Sequence, residues 1–211
     1  MEDLSSGLGD RCRYVAWNFP LMTDREKISI EDINTPPPSG VQSTSAGKNG
    51  IMHWLTNGDL FSARYFDQLP EIGGPIHNIE KVQAFQRQEL KPKDGRLIQC
   101  KNVQLDEVSA LFAVVQIPVS GESFLKHVAC NNLNAQAHRK HAGSNGFLYI
   151  ASITIPSENQ GFILKYETFG AISETPSAEN SALSRTLHFM ETVLRETTLS
   201  DRFRNTLDFE H

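Results

Sequence analysis

Phe147-Leu148-Tyr149-Ile150-Ala151-Ser152-Ile153-Thr154-Ile155 is the stretch on which the fold turns. Most of its residues are β-branched or aromatic and it contains neither Gly nor Pro, so it reads as a strand. Pro156 stops it, a polar turn leads to Gly161, and Phe162-Ile163-Leu164-Lys165-Tyr166-Glu167-Thr168-Phe169 returns alongside. Together the two runs predict an antiparallel hairpin.

Upstream, residues 108–119 contain Leu111-Phe112-Ala113-Val114-Val115-Gln116-Ile117, an almost continuous apolar run closed by Pro118. Such a run fits a strand covered on both faces, which places it centrally in the sheet. Downstream, Leu183, Leu187, Met190 and Leu194 recur at three- and four-residue steps, with Phe189 and Val193 widening the stripe. This predicts an amphipathic C-terminal helix near 177–197, capped by Thr175, opened by Pro176 and supported by a Glu191–Arg195 pair. A short second helix is expected from Ser200 through Leu207. The fold class is therefore α+β: a mainly antiparallel sheet packed by two or three helices, including the C-terminal one.

The remaining segments carry weaker patterns. Residues 1–11 are small and polar and read as a flexible arm, while 14–19 and 27–33 read as early strands. Residues 35–50 hold Pro36-Pro37-Pro38, several Ser and three Gly, the composition of a flexible surface loop. Thr56-Asn57-Gly58-Asp59 before Leu60, Phe61, Ala63, Tyr65 and Phe66 predicts a capped helix over 57–69. Residues 79–90 suit either element; strand is preferred, returning through Lys93-Asp94-Gly95 into 96–103 as a hairpin. Residues 121–141 read as helix with Phe124, Leu125 and Val128 as its apolar stripe.

Composition bounds the rest. A chain of 211 residues with twelve Phe and two Trp can build one core, so 1–211 is expected to be a single globular domain. Its net charge of −5 argues against general nucleic-acid binding, which needs cations to displace counterions from phosphates. Three cysteines, Cys12, Cys100 and Cys130, form no disulfide framework and fit a reducing compartment. No apolar run approaches the roughly 20 residues of a membrane span. The first residues do not resemble a signal peptide. The expected location is cytoplasmic, with no membrane partner.

His127, Cys130, His138 and His141, spaced H-x2-C-x7-H-x2-H, form the most suggestive constellation. Residues three apart share a helix face, so each pair presents two donors, and a bend near Asn131-Asn132 would assemble four ligands for zinc. That spacing differs from finger patterns, which begin with paired cysteines, and no other cofactor is indicated. Cys130 with His138 also supplies the thiol and base that a nucleophilic hydrolase or transferase requires. Cys100 lies in a strand-like run and reads as a small core residue.

Arg13 and Ser43-Thr44-Ser45, with a glutamate offered by Gln88-Glu89 or the isolated Glu167, resemble the arginine, serine-threonine-serine, glutamate pattern of mono-ADP-ribosyltransferases. That pattern implies an E-x-E or Q-x-E pair, which the chain lacks, and Ser-Thr-Ser here also matches linker composition. P-loop, dinucleotide, G-x-S-x-G and H-E-x-x-H signatures are absent. Asp59, His53, Asp67, Glu71 and His77 read as solvated caps and are given no role. Phe61 and Tyr65 are assigned to the core.

Two functional readings follow. The first is a non-catalytic protein-binding or assembly protein, self-association included, that uses sheet edges or the C-terminal helix. The second is a small Cys/His-dependent hydrolase or transferase, or a zinc domain built on 127–141.

Overall fold

A computed structural model of the chain describes residues 30–35, 38–47, 50–55, 58–66, 79–130, 143–157, 160–172 and 181–205. In chain order the strands and helices are β1 (Ile33–Asn34), β2 (Val41–Gly47), β3 (Gly50–Leu55), β4 (Leu60–Phe66), α1 (Ile79–Leu90), β5 (Arg96–Leu105), β6 (Val108–Ser120), α2 (Gly121–Cys130), β7 (Asn145–Ser157), β8 (Gln160–Ala171), α3 (Ala182–Glu196), β9 (Thr198–Leu199) and α4 (Asp201–Asn205). Seven strands form one antiparallel sheet in the order β2-β3-β4-β8-β7-β6-β5. The 147–169 hairpin is present as expected, whereas the 108–119 strand, expected at the centre, is β6, next to the β5 edge, and β8 holds the middle. Its run is apolar because Phe112 and Val114 meet one core and Val115 the other.

Strand alternation separates two apolar faces. On one, Phe61, Ala63, Tyr65, Phe162, Leu164, Tyr166, Ala151, Ile153 and Ile155 pack with Met190 and Val193 of α3. On the other, Leu90 of α1 meets Val115 and Ile150, and Phe124 of α2 meets Leu60 and Phe169. Adjacent residues on a strand point to opposite faces, so α3 covers one side and α1 with α2 the other.

α3 starts five residues after the expected start at 177. Its N-cap is Ser181, whose hydroxyl accepts from the Ser184 amide at 3.2 Å; Thr175 and Pro176 lie outside the described residues. Its apolar stripe closes on its own sheet: Met190 is fully buried, and Leu183, Leu187, Phe189 and Leu194 pack against the same core. α4 is capped by Ser200, whose Oγ accepts from the Phe203 amide at 3.1 Å.

Three expectations are corrected. The 57–69 helix is strand β4: Phe61-Ser62-Ala63-Arg64-Tyr65 has the period of two that sends every second residue into the core, and Gly58, at φ +89°, turns the chain from β3. The Gly58 amide donates to the Leu55 carbonyl and the Leu55 amide to the Asp59 carbonyl, both at 2.9 Å, closing a hairpin where a helix cap was expected. The 79–90 strand is helix α1, because Asp94 takes a left-handed conformation and the Gly95 amide donates to the Leu90 carbonyl, so the Asp-Gly pair stops a helix. β5 pairs instead with β6 across Asp106 and Glu107, both at positive φ, the geometry of a two-residue hairpin. Finally, the 35–50 loop contains β2 and the first residue of β3. Residues 1–11 and the strands expected at 14–19 lie outside the described residues, and of 27–33 only a turn of 3-10 helix and the start of β1 are described.

A second, two-stranded sheet pairs β1 with β9, Ile33 opposite Leu199 and Asn34 opposite Thr198. Asp32 anchors it, accepting from Ser200 Oγ at 2.6 Å and from Arg202 Nε at 2.9 Å. Asp106, in the β5–β6 turn, accepts from the Leu199 amide at 2.6 Å and from Arg204 at 2.5 Å. Ile33 and Leu199 are both buried in the core.

Candidate functional site

Of the constellation chosen from sequence, His127 and Cys130 stand three residues apart in the last turn of α2. His138 and His141 lie outside the described residues. Among the described residues no three of His, Cys, Asp and Glu converge as a metal would require, and no helix is long and apolar enough to cross a membrane. Cys100 is a free, half-buried thiol on β5. Burial pushes its pKa up, against a smaller downward pull from Arg87, the opposite of what a nucleophilic thiolate needs.

The Arg, Ser-Thr-Ser, Glu arrangement does not assemble. Ser43 pairs with Trp54, Trp54 with Leu60 and Leu60 with Glu167, so Ser43 and Glu167 stand three strand spacings apart, about 14 Å. Arg13 lies outside the described residues.

Two polar groups in the sheet were missed. Asp59, expected as a solvated cap, is 3% exposed. Tyr166 and Thr168 donate their hydroxyls to its two oxygens, each at 2.5 Å; Arg185 of α3 donates to Thr168 Oγ at 3.2 Å and lies 3.8 Å from Asp59 Oδ2. Both carboxylate oxygens are thus engaged, and the group fastens α3 to the β3–β4 turn and β8. The Tyr166 ring stacks on Phe189 with centroids 4.2 Å apart, completing the contact. On the opposite face, Lys165 pairs with Glu167, and both side chains are almost wholly buried. Ser62 is the cross-strand neighbour of Lys165, with a fully buried hydroxyl that finds no hydrogen-bond partner among the described residues.

At the outer edge, the Thr44 hydroxyl and His53 Nδ1 are 2.9 Å apart, and the imidazole lies parallel to the Phe61 ring. Burial disfavours the imidazolium and lowers the His53 pKa. An unfolded histidine binds its proton near pH 6.5. The neutral form folds without penalty above that value, and the stability it confers is lost as pH falls through 6.5 toward the lower folded pKa. Urea midpoints should therefore drop on acidification below about pH 6.5, and His53→Gln should flatten that part of the profile.

The two edges of the sheet differ. β5 has the features that discourage pairing: Arg96 and Lys101, a bulge between Leu97 and Gln99, and the Gln83 side chain of α1 donating to the Cys100 carbonyl. β2 reads Val-Gln-Ser-Thr-Ser-Ala-Gly and contains no charge. Val41, Gln42, Thr44 and Ala46 are exposed.

Its orientation follows from the ladder. The Leu55 amide bonds toward the β4 side, so by alternation His53 and Ile51 also face β4, whereas Trp54, Met52 and Gly50 face β2. Their partners Ser43, Ser45 and Gly47 face inward. Among the described residues no strand pairs with the far side of β2, and Thr44 and Ala46 turn their backbone N–H and C=O groups out along that edge. The sequence signal for this was the same Ser/Thr/Gly composition that suggested a loop.

No family model and no curated protein matches the chain. Solved structures resemble it over most of their length. The Ran-binding protein Mog1p of Saccharomyces cerevisiae aligns with a TM-score of 0.48 at 9% identity, covering 81% of this chain and 92% of that one. A point mutant of protein Mog1 gives 0.49 at 10%, covering 85% and 97%. LpqN, involved in cell envelope biogenesis of Mycobacterium tuberculosis, gives 0.41 at 16%, covering 80% and 83%.

Proposed function

We propose that this chain is a non-catalytic protein-binding protein that takes up a partner strand along β2. The observation that carries the reading is the contrast between surfaces. The C-terminal helix, the other contact surface expected from sequence, buries its apolar stripe against its own sheet. β5 carries charges, a bulge and a side chain bonded to one of its carbonyls. Of the two edges of the described sheet, β2 presents an uncharged row of outward amides and carbonyls, the template on which an extended segment adds as another strand.

Site-specific photo-crosslinking tests this directly. A photoreactive residue at position 46 should capture a discrete protein in the cell, and one at position 101 on β5 should not. Ala46→Pro removes an outward donor without touching the β3 ladder, and should weaken the captured interaction about tenfold or more while the protein stays folded. Equal capture at both positions, or capture unaffected by Ala46→Pro, would remove the edge as the binding surface.

A further inference from the structure

We propose that the strand received by β2 is β2 of a second copy of this chain, antiparallel about a two-fold axis through Ser45. This rests on the edge reading above and names its occupant.

Regular pairing is confined to a short stretch. A register shift between Val41 and Ser43 interrupts β2 on one side, and the hairpin closing at Gly47 and Gly50 ends it on the other. The unbroken stretch is 43–47, and its midpoint is Ser45. A two-fold axis there uses all of it. Thr44 of each copy then lies opposite Ala46 of the other, and these are the two residues whose backbone groups face outward. Both pairs exchange N–H···O=C bonds, leaving none of the outward groups of the stretch unused.

Symmetry also explains the composition. In an isologous contact the residue on the axis meets itself and both strands carry the same net charge, so an edge with a net charge repels its own copy. A foreign partner could match charge with counter-charge and would set no such limit. β2 has no charged residue anywhere from Val41 to Gly47, while β5, the edge at the other end of the sheet, has two. The side chains at the paired positions are Thr and Ala, small enough for two edges to approach to strand spacing. The product is a continuous sheet across two copies, with α3 of both on corresponding faces.

The geometry fixes the test. Ser45 faces its own β3, so Ser45 opposite Ser45 is a non-hydrogen-bonded pair with Cα atoms about 4.5 Å apart, inside the range that a disulfide spans. Under mild oxidation the Ser45→Cys protein should form a dimer linked through position 45, identified by mass spectrometry. Its yield should exceed that of Ile98→Cys, on the exposed β5 edge, by at least about tenfold, because pairing raises the effective thiol concentration. Light scattering should show the unmodified protein as a dimer and Ala46→Pro as a monomer. A monomer at all concentrations, with position 45 linking no better than position 98, overturns self-pairing. If position 46 then still captures a different protein, the edge reading survives alone; if it captures nothing, both fall.

Discussion

Phe162→Ala is expected to lower the unfolding free energy by about 3–5 kcal/mol, the range for deleting a large aromatic from a packed core. Phe162 is fully buried on β8 and touches elements that are distant in sequence. Its ring centroid is 6.0 Å from Tyr65 on β4 and 5.2 Å from Phe203 on α4. Ile155 is its cross-strand neighbour on β7. Truncation removes contacts to three elements at once, and the fixed strands cannot collapse into the gap. Urea denaturation followed by fluorescence checks it: the midpoint should fall with little change in slope. Phe162→Leu, which keeps much of the volume, should lose distinctly less.

Asp59→Ala has the second largest expected effect, about 2–4 kcal/mol, and its cause is electrostatic. Removing the carboxylate leaves the buried Tyr166 and Thr168 hydroxyls without their acceptor and takes the counter-charge from beside Arg185. Arg185 is about a third exposed, so water compensates part of its loss, and most of the cost belongs to the hydroxyls. A double-mutant cycle separates the contributions. In a Tyr166→Phe background Asp59→Ala should cost less than in the wild type, because one stranded donor is already gone. Equal costs in both backgrounds would show that the short Tyr166–Asp59 bond contributes nothing.

What could be read from sequence depended on how local the deciding contacts are. β7 and β8 are neighbours in the chain and in the sheet, so their apolar runs and the turn between them predict their pairing. The stripe of α3 is likewise complete within one segment. β4 was misread because its partner β8 lies about a hundred residues away, and Leu60 beside Phe61 obscured the alternation that this pairing enforces. Asp94-Gly95 misled differently, since a left-handed residue followed by Gly ends a helix as readily as it turns a hairpin. β2 was hidden by its position: a strand with exposed residues on an open edge need not be apolar.

The site was less legible than the fold. Polarity beside Gly58 suggested that Asp59 was solvated, and only the approach of Thr168 and Arg185 from far along the chain reveals its burial. The pattern chosen instead, His127, Cys130, His138 and His141, is half outside the described residues. The open edge had no motif to announce it, because its outward groups belong to the backbone.

The clasp between β1 and β9 has a mechanical meaning. Asp32 and Ser200 are 168 residues apart along the chain yet joined by a hydrogen bond, so the segments bearing them lie side by side. If opposed tension were applied through those segments, it would load the two-residue β1–β9 ladder and the Asp32–Arg202 pair together with the Arg204–Asp106 and Phe203–Phe162 contacts that tie α4 to the main sheet. These contacts share the first load, and they are the place where the fold would begin to part.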